Sequence, residues 1–338
     1  MNPITAINEP FPTPSIQGAV DAATSTHPQG RFRIATRKLP ISKSGPIDEM
    51  TERLGIPVPE MIFGDNLVSL THAPSGWSLA FNAYDALDHV DKTEKNMLQV
   101  AYARDWSSSR EKTSAGIKEV VKPYDWSYST DYDGTLAAGA QAFQPTTKEI
   151  PLELLKRRDP ILFFDEVMLY ESELDDNGIS IFSVKVRVHE QRMLLLCRLF
   201  MRLDNVLVRI RDTRVYVDFA GDYVLREYTA KEDSWANVKR SLFMSGRLPD
   251  DITIALRDAN LLSTLLPTVG RRLRGQAVLI WVYFGLKALS GVERRSQGLG
   301  VIAYFESRME GSTRTERIHA WLYTLMCASA ANRRLVGI

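Results

Sequence analysis

Cysteine is almost missing from this chain. There are two in 338 residues, Cys197 and Cys327, far apart and each in an apolar setting. That excludes a disulfide framework and a cysteine-built zinc site, and it suits buried thiols in a reducing compartment. Histidine is scarce as well: His27, His72, His89, His189 and His319 form no H-x-H or H-E-x-x-H pattern, so a histidine metal centre is not expected. No G-x-S-x-G elbow and no G-x-x-x-x-G-K-[ST] loop occurs. Gly298-Leu299-Gly300-Val301-Ile302-Ala303 matches only a relaxed dinucleotide fingerprint, without the preceding strand of a βαβ unit. No cofactor is implied. Charge excess is absent too, with 42 Lys+Arg against 41 Asp+Glu, net +1. Such a balance argues against a protein built to coat nucleic acid or an anionic membrane. The best apolar run, Ala277 to Leu286, is ten residues long, where a membrane helix needs about twenty. Met1 to Thr26 has no basic stretch followed by an apolar one, so no signal peptide is expected.

What is present suits a soluble globular protein: 44% hydrophobic and 25% charged residues. Residues 1–30, rich in Pro, Thr, Ser and Ala, read as a disordered tail. The ordered part opens at Arg31 with the alternation of a first strand. Ser44-Gly45-Pro46 leads into a helix buried through Ile47, Met50 and Leu54 and closed by Gly55. Leu67–Thr71 and Trp77–Phe81 read as strands, and the polar stretch Ser107–Lys118 as a loop or weak helix. From Ile161 six strand-like runs follow: Ile161–Glu171, Ile179–Val188, Met193–Leu203, Val206–Arg211, Arg214–Phe219 and Tyr223–Thr229. Their short breaks require antiparallel neighbours, because a parallel crossover needs a dozen residues or more. Ser234–Phe243 and Asp251–Leu265 then read as helices. The segregation of strands from helices predicts an α+β fold, a largely antiparallel (mixed) sheet meander with flanking helices in a single main domain over 31–270. Residues 271–338 carry eleven Lys/Arg against four Asp/Glu, or +7. They read either as a small helical extension or as a tail foreign to the fold.

Two segments bear on chemistry. Glu173, Asp175, Asn177 and Gly178 imitate the start of a calcium loop, but its twelfth position falls on Val184, which cannot ligate, so a hairpin turn is the better reading. The stretch Lys122 to Thr135 packs four aromatics and three acids into fourteen residues. It reads either as recognition surface or as a loop plugged onto the sheet by its tyrosines. An enzyme using a cleft around Asp125, Asp131 and Asp133 is the alternative from another class. Nucleic-acid binding through the basic C-terminal region is a third reading and needs a contiguous arginine face.

Six ordered motifs resemble a known family. They are Pro59-Glu60-Met61-Ile62-Phe63-Gly64-Asp65-Asn66, Phe81-Asn82-Ala83-Tyr84-Asp85-Ala86-Leu87, the Lys122–Thr135 segment, Phe163-Phe164-Asp165-Glu166-Val167, Arg209-Ile210-Arg211-Asp212-Thr213-Arg214 and Leu225-Arg226-Glu227-Tyr228-Thr229. The family is that of the TIPRL proteins, regulators of the TOR signalling pathway, and the resemblance runs from about Arg31 to about Pro267. It implies a non-enzymatic regulator without cofactor. Its partners would be type 2A protein phosphatase catalytic subunits and a Tap/alpha-four-type protein, with no nucleic acid and no membrane, in the cytoplasm and also the nucleus. The family's phosphatase-facing positions correspond to Asp85, Ile150, Ile210 and Asp212. Ile210 stands where members commonly carry Met, an apolar side chain of similar volume. Tyr84 stands where they carry Thr. Asp212 is expected at a strand end or turn. Asp85 is expected in the first turn of a helix capped by Asn82, too short to close a capping box and therefore with a freer carboxylate.

Overall fold

The computed structural model describes residues 20–93, 124–246, 249–270 and 273–279. Two antiparallel sheets are the largest part of their regular structure. The smaller is ordered β1-β2-β4-β5-β6, from Thr24–Gln29, Phe32–Arg37, Leu67–His72, Trp77–Asn82 and Thr135–Leu136. The larger is ordered β3-β8-β9-β10-β11-β12-β13-β7. Its central five, Phe163–Ser172 (β8), Gly178–Val188 (β9), Arg192–Leu203 (β10), Leu207–Asp218 (β11) and Tyr223–Ser234 (β12), form the expected meander. Leu273–Val278 (β13), Gln144–Pro145 (β7) and Met61–Ile62 (β3) complete it. Among the described residues every strand pair is antiparallel. With its helices this is an α+β domain.

The helices are short. Val20–Ala23 (α1) precedes β1, and Ser44–Leu54 (α2) ends on Gly55 in the left-handed region, φ +69°, with Met50 and Leu54 buried. Ala83–Asp88 (α3) follows β5, and Leu152–Leu155 (α4) is a single turn. Trp235–Met244 (α5), Pro249–Ala255 (α6) and Ala259–Leu265 (α7) come after the meander. The expected helix over Asp251–Leu265 is in fact two. Asp258 accepts from the backbone N–H groups of Asn260 and Leu261, so its side chain starts a new helix where an apolar period suggested continuity.

The alternation of the meander decides which residue faces where. One face of the large sheet, through Phe182, Val184, Leu195, Cys197, Leu199, Val215 and Val224, meets Ile34, Leu70, Leu79 and Phe81 of the small sheet in the main core. The opposite face is covered at one end by α5–α7 over Phe200, Val208 and Ile210. At the other end Ile150 and Leu155 cover Tyr216 and Leu225.

Three boundaries differ from the sequence reading. Arg211 to Arg214 is no break, because β11 runs through it. Thr24–Gln29, placed in the tail, is a strand paired with β2; residues 1–19 of that tail lie outside the described residues. Leu273–Val278, placed beyond the domain, is a strand paired with β12, and Ala277 is fully buried. Leu279 follows, buried; residues 271–272 and 280–338 of the C-terminal region and the stretch Ser107–Lys118 lie outside the described residues.

Candidate functional site

The three-residue turn Asp204 to Val206, centred on Asn205, sets β10 against β11 so that Arg198 faces Asp212 on the outer side of the sheet. The guanidinium grips the carboxylate at both ends, Nε to Oδ1 at 2.6 Å and NH2 to Oδ2 at 2.8 Å, and Arg214 adds a third bond to Oδ2 at 2.9 Å. Fork-on-carboxylate geometry of this kind is strong and directional. The chain of charges continues across the strands. Arg214 approaches Glu227 at 3.5 Å, Glu227 accepts from Arg274 at 3.1 Å, and Arg274 reaches Glu149 at 2.9 Å. At the other end Arg198 donates to Asn260 of α7 at 2.9 Å. A polar strip therefore joins the helix layer to the residue next to Ile150. Thr229, in register with Asp212, is buried beside it and its hydroxyl makes no hydrogen bond among the described residues.

Of the four positions singled out from sequence, three share this outer face but not its surface. Ile210 is 0% exposed, packed with Phe200, Val238, Leu242 and Leu262 beneath the helices. Asp212 is 1% exposed and lies mid-strand rather than at a turn. Ile150 is buried on Tyr216 and Leu225. What reaches solvent here is the rim of the strip: Arg214 is 22% exposed and Arg198 11%.

Asp85 is elsewhere. It sits at the start of α3, where Asn82 accepts from its backbone N–H at 2.9 Å. Its Oδ2 takes the Asn82 amide at 2.7 Å and a short hydrogen bond from the Thr135 hydroxyl. The carboxylate is held by the Asn82 side chain, whose amide arm Ser or Thr would lack, and not by the reciprocal bond to the N-cap backbone N–H that defines a capping box. The freer carboxylate expected from the short side chain is thus half engaged. Thr135 also meets the Tyr132 hydroxyl at 2.7 Å, and the Tyr132 carbonyl faces the Thr213 hydroxyl at 3.5 Å. Asp85 consequently connects to β11 from the inner side, opposite to Asp212.

The aromatic–acidic segment, described from Tyr124 onward, is the plug rather than the surface. Tyr124, Tyr128 and Tyr132 are core residues. The Tyr132 hydroxyl donates to the Ala80 carbonyl at 3.0 Å, and Tyr170 donates to the Tyr128 carbonyl at 2.8 Å. Burial, followed by the Asp85 charge, pushes the Tyr132 phenol well above its ordinary range. The three acids of the alternative enzymatic reading are tied to separate partners. Asp125 accepts from the Ser127 N–H and hydroxyl, and burial raises its carboxyl against the pull of Ser127 and Arg209. Asp133 pairs with Arg226 at 2.7 Å, and Asp131 faces His89 at 3.4 Å. No hydrogen bond joins any two of the three; burial, opposed by Arg226 and His89 and aided by the Asp131 charge, raises the Asp133 carboxyl.

The sequence reading missed Arg198, Arg214, Glu227 and Arg274. The turn read as Asp204-Asn205 is in fact three residues, Asp204 to Val206, with Asn205 in the left-handed region, φ +64°. A two-residue turn would have set Arg198 against Arg211, and the extra residue shifts the register by one to give the opposite-charge pair Arg198/Asp212.

Comparison with known proteins finds one family. A family model described as the TIP41-like family matches residues 61–239. A human "TIP41-like protein" is 44% identical over 220 residues, covering 63% of this chain and 80% of the human one. The Saccharomyces cerevisiae "Type 2A phosphatase activator TIP41" is 38% identical over 259 residues, 71% of each chain. The Schizosaccharomyces pombe "Type 2A phosphatase activator tip41" is 34% identical over 242 residues, 72% of this chain and 94% of its own.

Proposed function

The chain belongs to the TIP41-like family, and on that premise we propose that it is a non-enzymatic regulator that binds the catalytic subunit of type 2A protein phosphatases. The observation that carries this is the similarity, over 71% of both chains, to a protein named as a type 2A phosphatase activator. A binding role is supported by a strip of paired arginines and acids on the outer face of the sheet, between two apolar caps, whose arginine edges reach solvent. In this reading Asp212 is a positioning residue. It holds the Arg198 and Arg214 forks, whose rims meet the partner, while Ile210 seats the helix layer and Ile150 the opposite cap. Action in TOR signalling with a Tap/alpha-four-type protein, in cytoplasm and nucleus, belongs to the same proposal. The test is direct titration of the purified full chain with purified type 2A catalytic subunit. Saturable one-to-one binding is expected, and absence of binding at micromolar concentrations overturns the proposal.

A further inference from the structure

A second surface lies beside the Ile150 cap and has no role in the strip. Leu152, Leu154, Ile161, Leu162 and Phe164 are each between 37% and 56% exposed, within thirteen residues of chain. Arg192 draws the segment together, donating to the Leu154 carbonyl at 2.8 Å and pairing with Asp159. Leu162 donates its backbone N–H to the Val188 carbonyl, and Phe164 stands opposite Arg187 on the outer face. Water-facing apolar groups in such number, on one short connection, are unusual on a free surface and mark contact sites.

The charges around them are unbalanced. Three nearby acids already have a cation: Glu153 pairs with Lys156 at 2.6 Å, Glu166 with Lys185 at 3.0 Å, and Asp159 with Arg192. Exposed Glu190, next to the His189 that bonds the Pro160 carbonyl, forms no ion pair with a described residue and offsets one arginine. Arg157, Arg158 and Arg187 are exposed and form no ion pair with any described residue. The surplus is positive, so the complementary occupant is acidic. The chain's own region 271–338, at +7, has the wrong sign. The apolar side chains are half-buried rather than fully exposed, and exposed arginines stand among them in the chain (Arg157, Arg158) and across the strand pair (Arg187 opposite Phe164). That is the anatomy of a protein interface and not of a membrane-inserting loop.

We propose that Leu152, Leu154, Ile161, Leu162 and Phe164, with Arg157, Arg158 and Arg187, form a docking surface for an acidic segment bearing apolar side chains on the phosphatase catalytic subunit. The identity of that partner rests on the function proposed above. The experiment titrates purified catalytic subunit against the full chain, its R157E/R158E variant, its F164S variant, and an M244S control on the exposed end of α5. R157E/R158E and F164S should each weaken binding about tenfold or more. R157E/R158E should also remove most of the salt dependence. Melting temperatures should stay at the wild-type value, because the altered side chains are exposed, and M244S should bind as wild type. Wild-type binding with unchanged affinity in both surface variants overturns this surface and leaves the proposed function standing. An equal loss in M244S overturns it as well, since the effect then lacks a location. No binding by the unaltered chain overturns the proposed function and this partner with it. A parallel arm uses phosphatidylcholine vesicles containing phosphatidylserine. Vesicle binding that R157E/R158E abolishes, with phosphatase affinity unchanged, assigns the surface to a membrane and overturns the protein reading.

Discussion

Asp212 shows how one residue's environment changes what a substitution tests. Its carboxylate is enclosed by two guanidinium groups that are themselves mostly covered. Asp212→Asn keeps the shape but removes the charge that balances both. Truncating one side of such a buried arrangement typically costs about 3 kcal/mol or more. In a domain of this size that lowers the melting temperature by roughly 10 °C. Differential scanning calorimetry checks it. An unchanged melting temperature with weakened phosphatase binding would mean instead that the charge itself meets the partner. Sequence alone suggested a turn here because Arg-Asp-Thr-Arg is polar and Asp favours turns. A mid-strand run of charges becomes stable only when neighbouring strands supply counter-charges, and that is a tertiary fact.

Among elements, the joint between β2 and β8 is the clearest link from one sheet to the other. The Thr36 hydroxyl donates to Asp165 at 2.6 Å, and Lys38 reaches its other oxygen at 2.5 Å. Burial works to raise the Asp165 carboxyl, but the hydrogen bonds from Lys38, Thr36 and the Glu166 N–H outweigh it and hold the group below its ordinary range. A carboxyl depressed in the folded state stabilises at pH values above its unfolded titration. That stabilisation is lost as pH falls through the lower folded value. Asp165→Asn should therefore destabilise at neutral pH, and the gap to wild type should close below about pH 4. Lys38 is half exposed, so its share is screened by salt. A gap independent of pH in denaturant titrations would contradict this. The meander itself was legible in the sequence, since alternation and short polar breaks survive any context. The hairpin before β9 was read correctly as a turn, but Gly178 serves a different need. A methyl group there would lie 1.9 Å from the Arg202 carbonyl oxygen, so β10 approaches too closely for a side chain. β1 and β13 escaped notice because Thr-Ser-Thr-His-Pro-Gln and Leu-Arg-Gly-Gln-Ala-Val lack the alternation that marks a half-buried strand. Their strand state comes from the neighbour each one pairs with.

At the scale of the molecule those two strands decide where the domain ends. β1 brings His27 onto the Phe163 ring and Gln29 to the Glu190 carbonyl, so it also touches the large sheet. β13 supplies Ala277 to the core and Arg274 to the charged strip. A chain of residues 20–279 should unfold in one cooperative transition. One trimmed to 31–270 should melt at a distinctly lower temperature. Equal melting curves would show that β1 and β13 add nothing to stability.

The succession of β8 to β12 as chain neighbours has a consequence for the order of events during folding. Each hairpin closes a loop of a few residues, at small entropic cost. The pairing of β3 with β8 and of β7 with β13 must each bring together chain more than a hundred residues apart. Local closure outruns distant closure, so the meander should be a late-synthesised but early-formed template, onto which earlier-made chain later settles. In pulsed hydrogen exchange the amides within β10 and β11 should gain protection first. The Phe63 amide, bonded to Leu169, and the Thr146 amide, bonded to Arg274, should follow. Simultaneous protection of all of them would remove the distinction. The centre of the charged strip, Arg198, Asp212, Arg214 and Glu227, lies within the early template, while its ends at Asn260, Arg274 and Glu149 are added later, so the middle of the face that meets a partner would take shape before the rest of the molecule is closed around it.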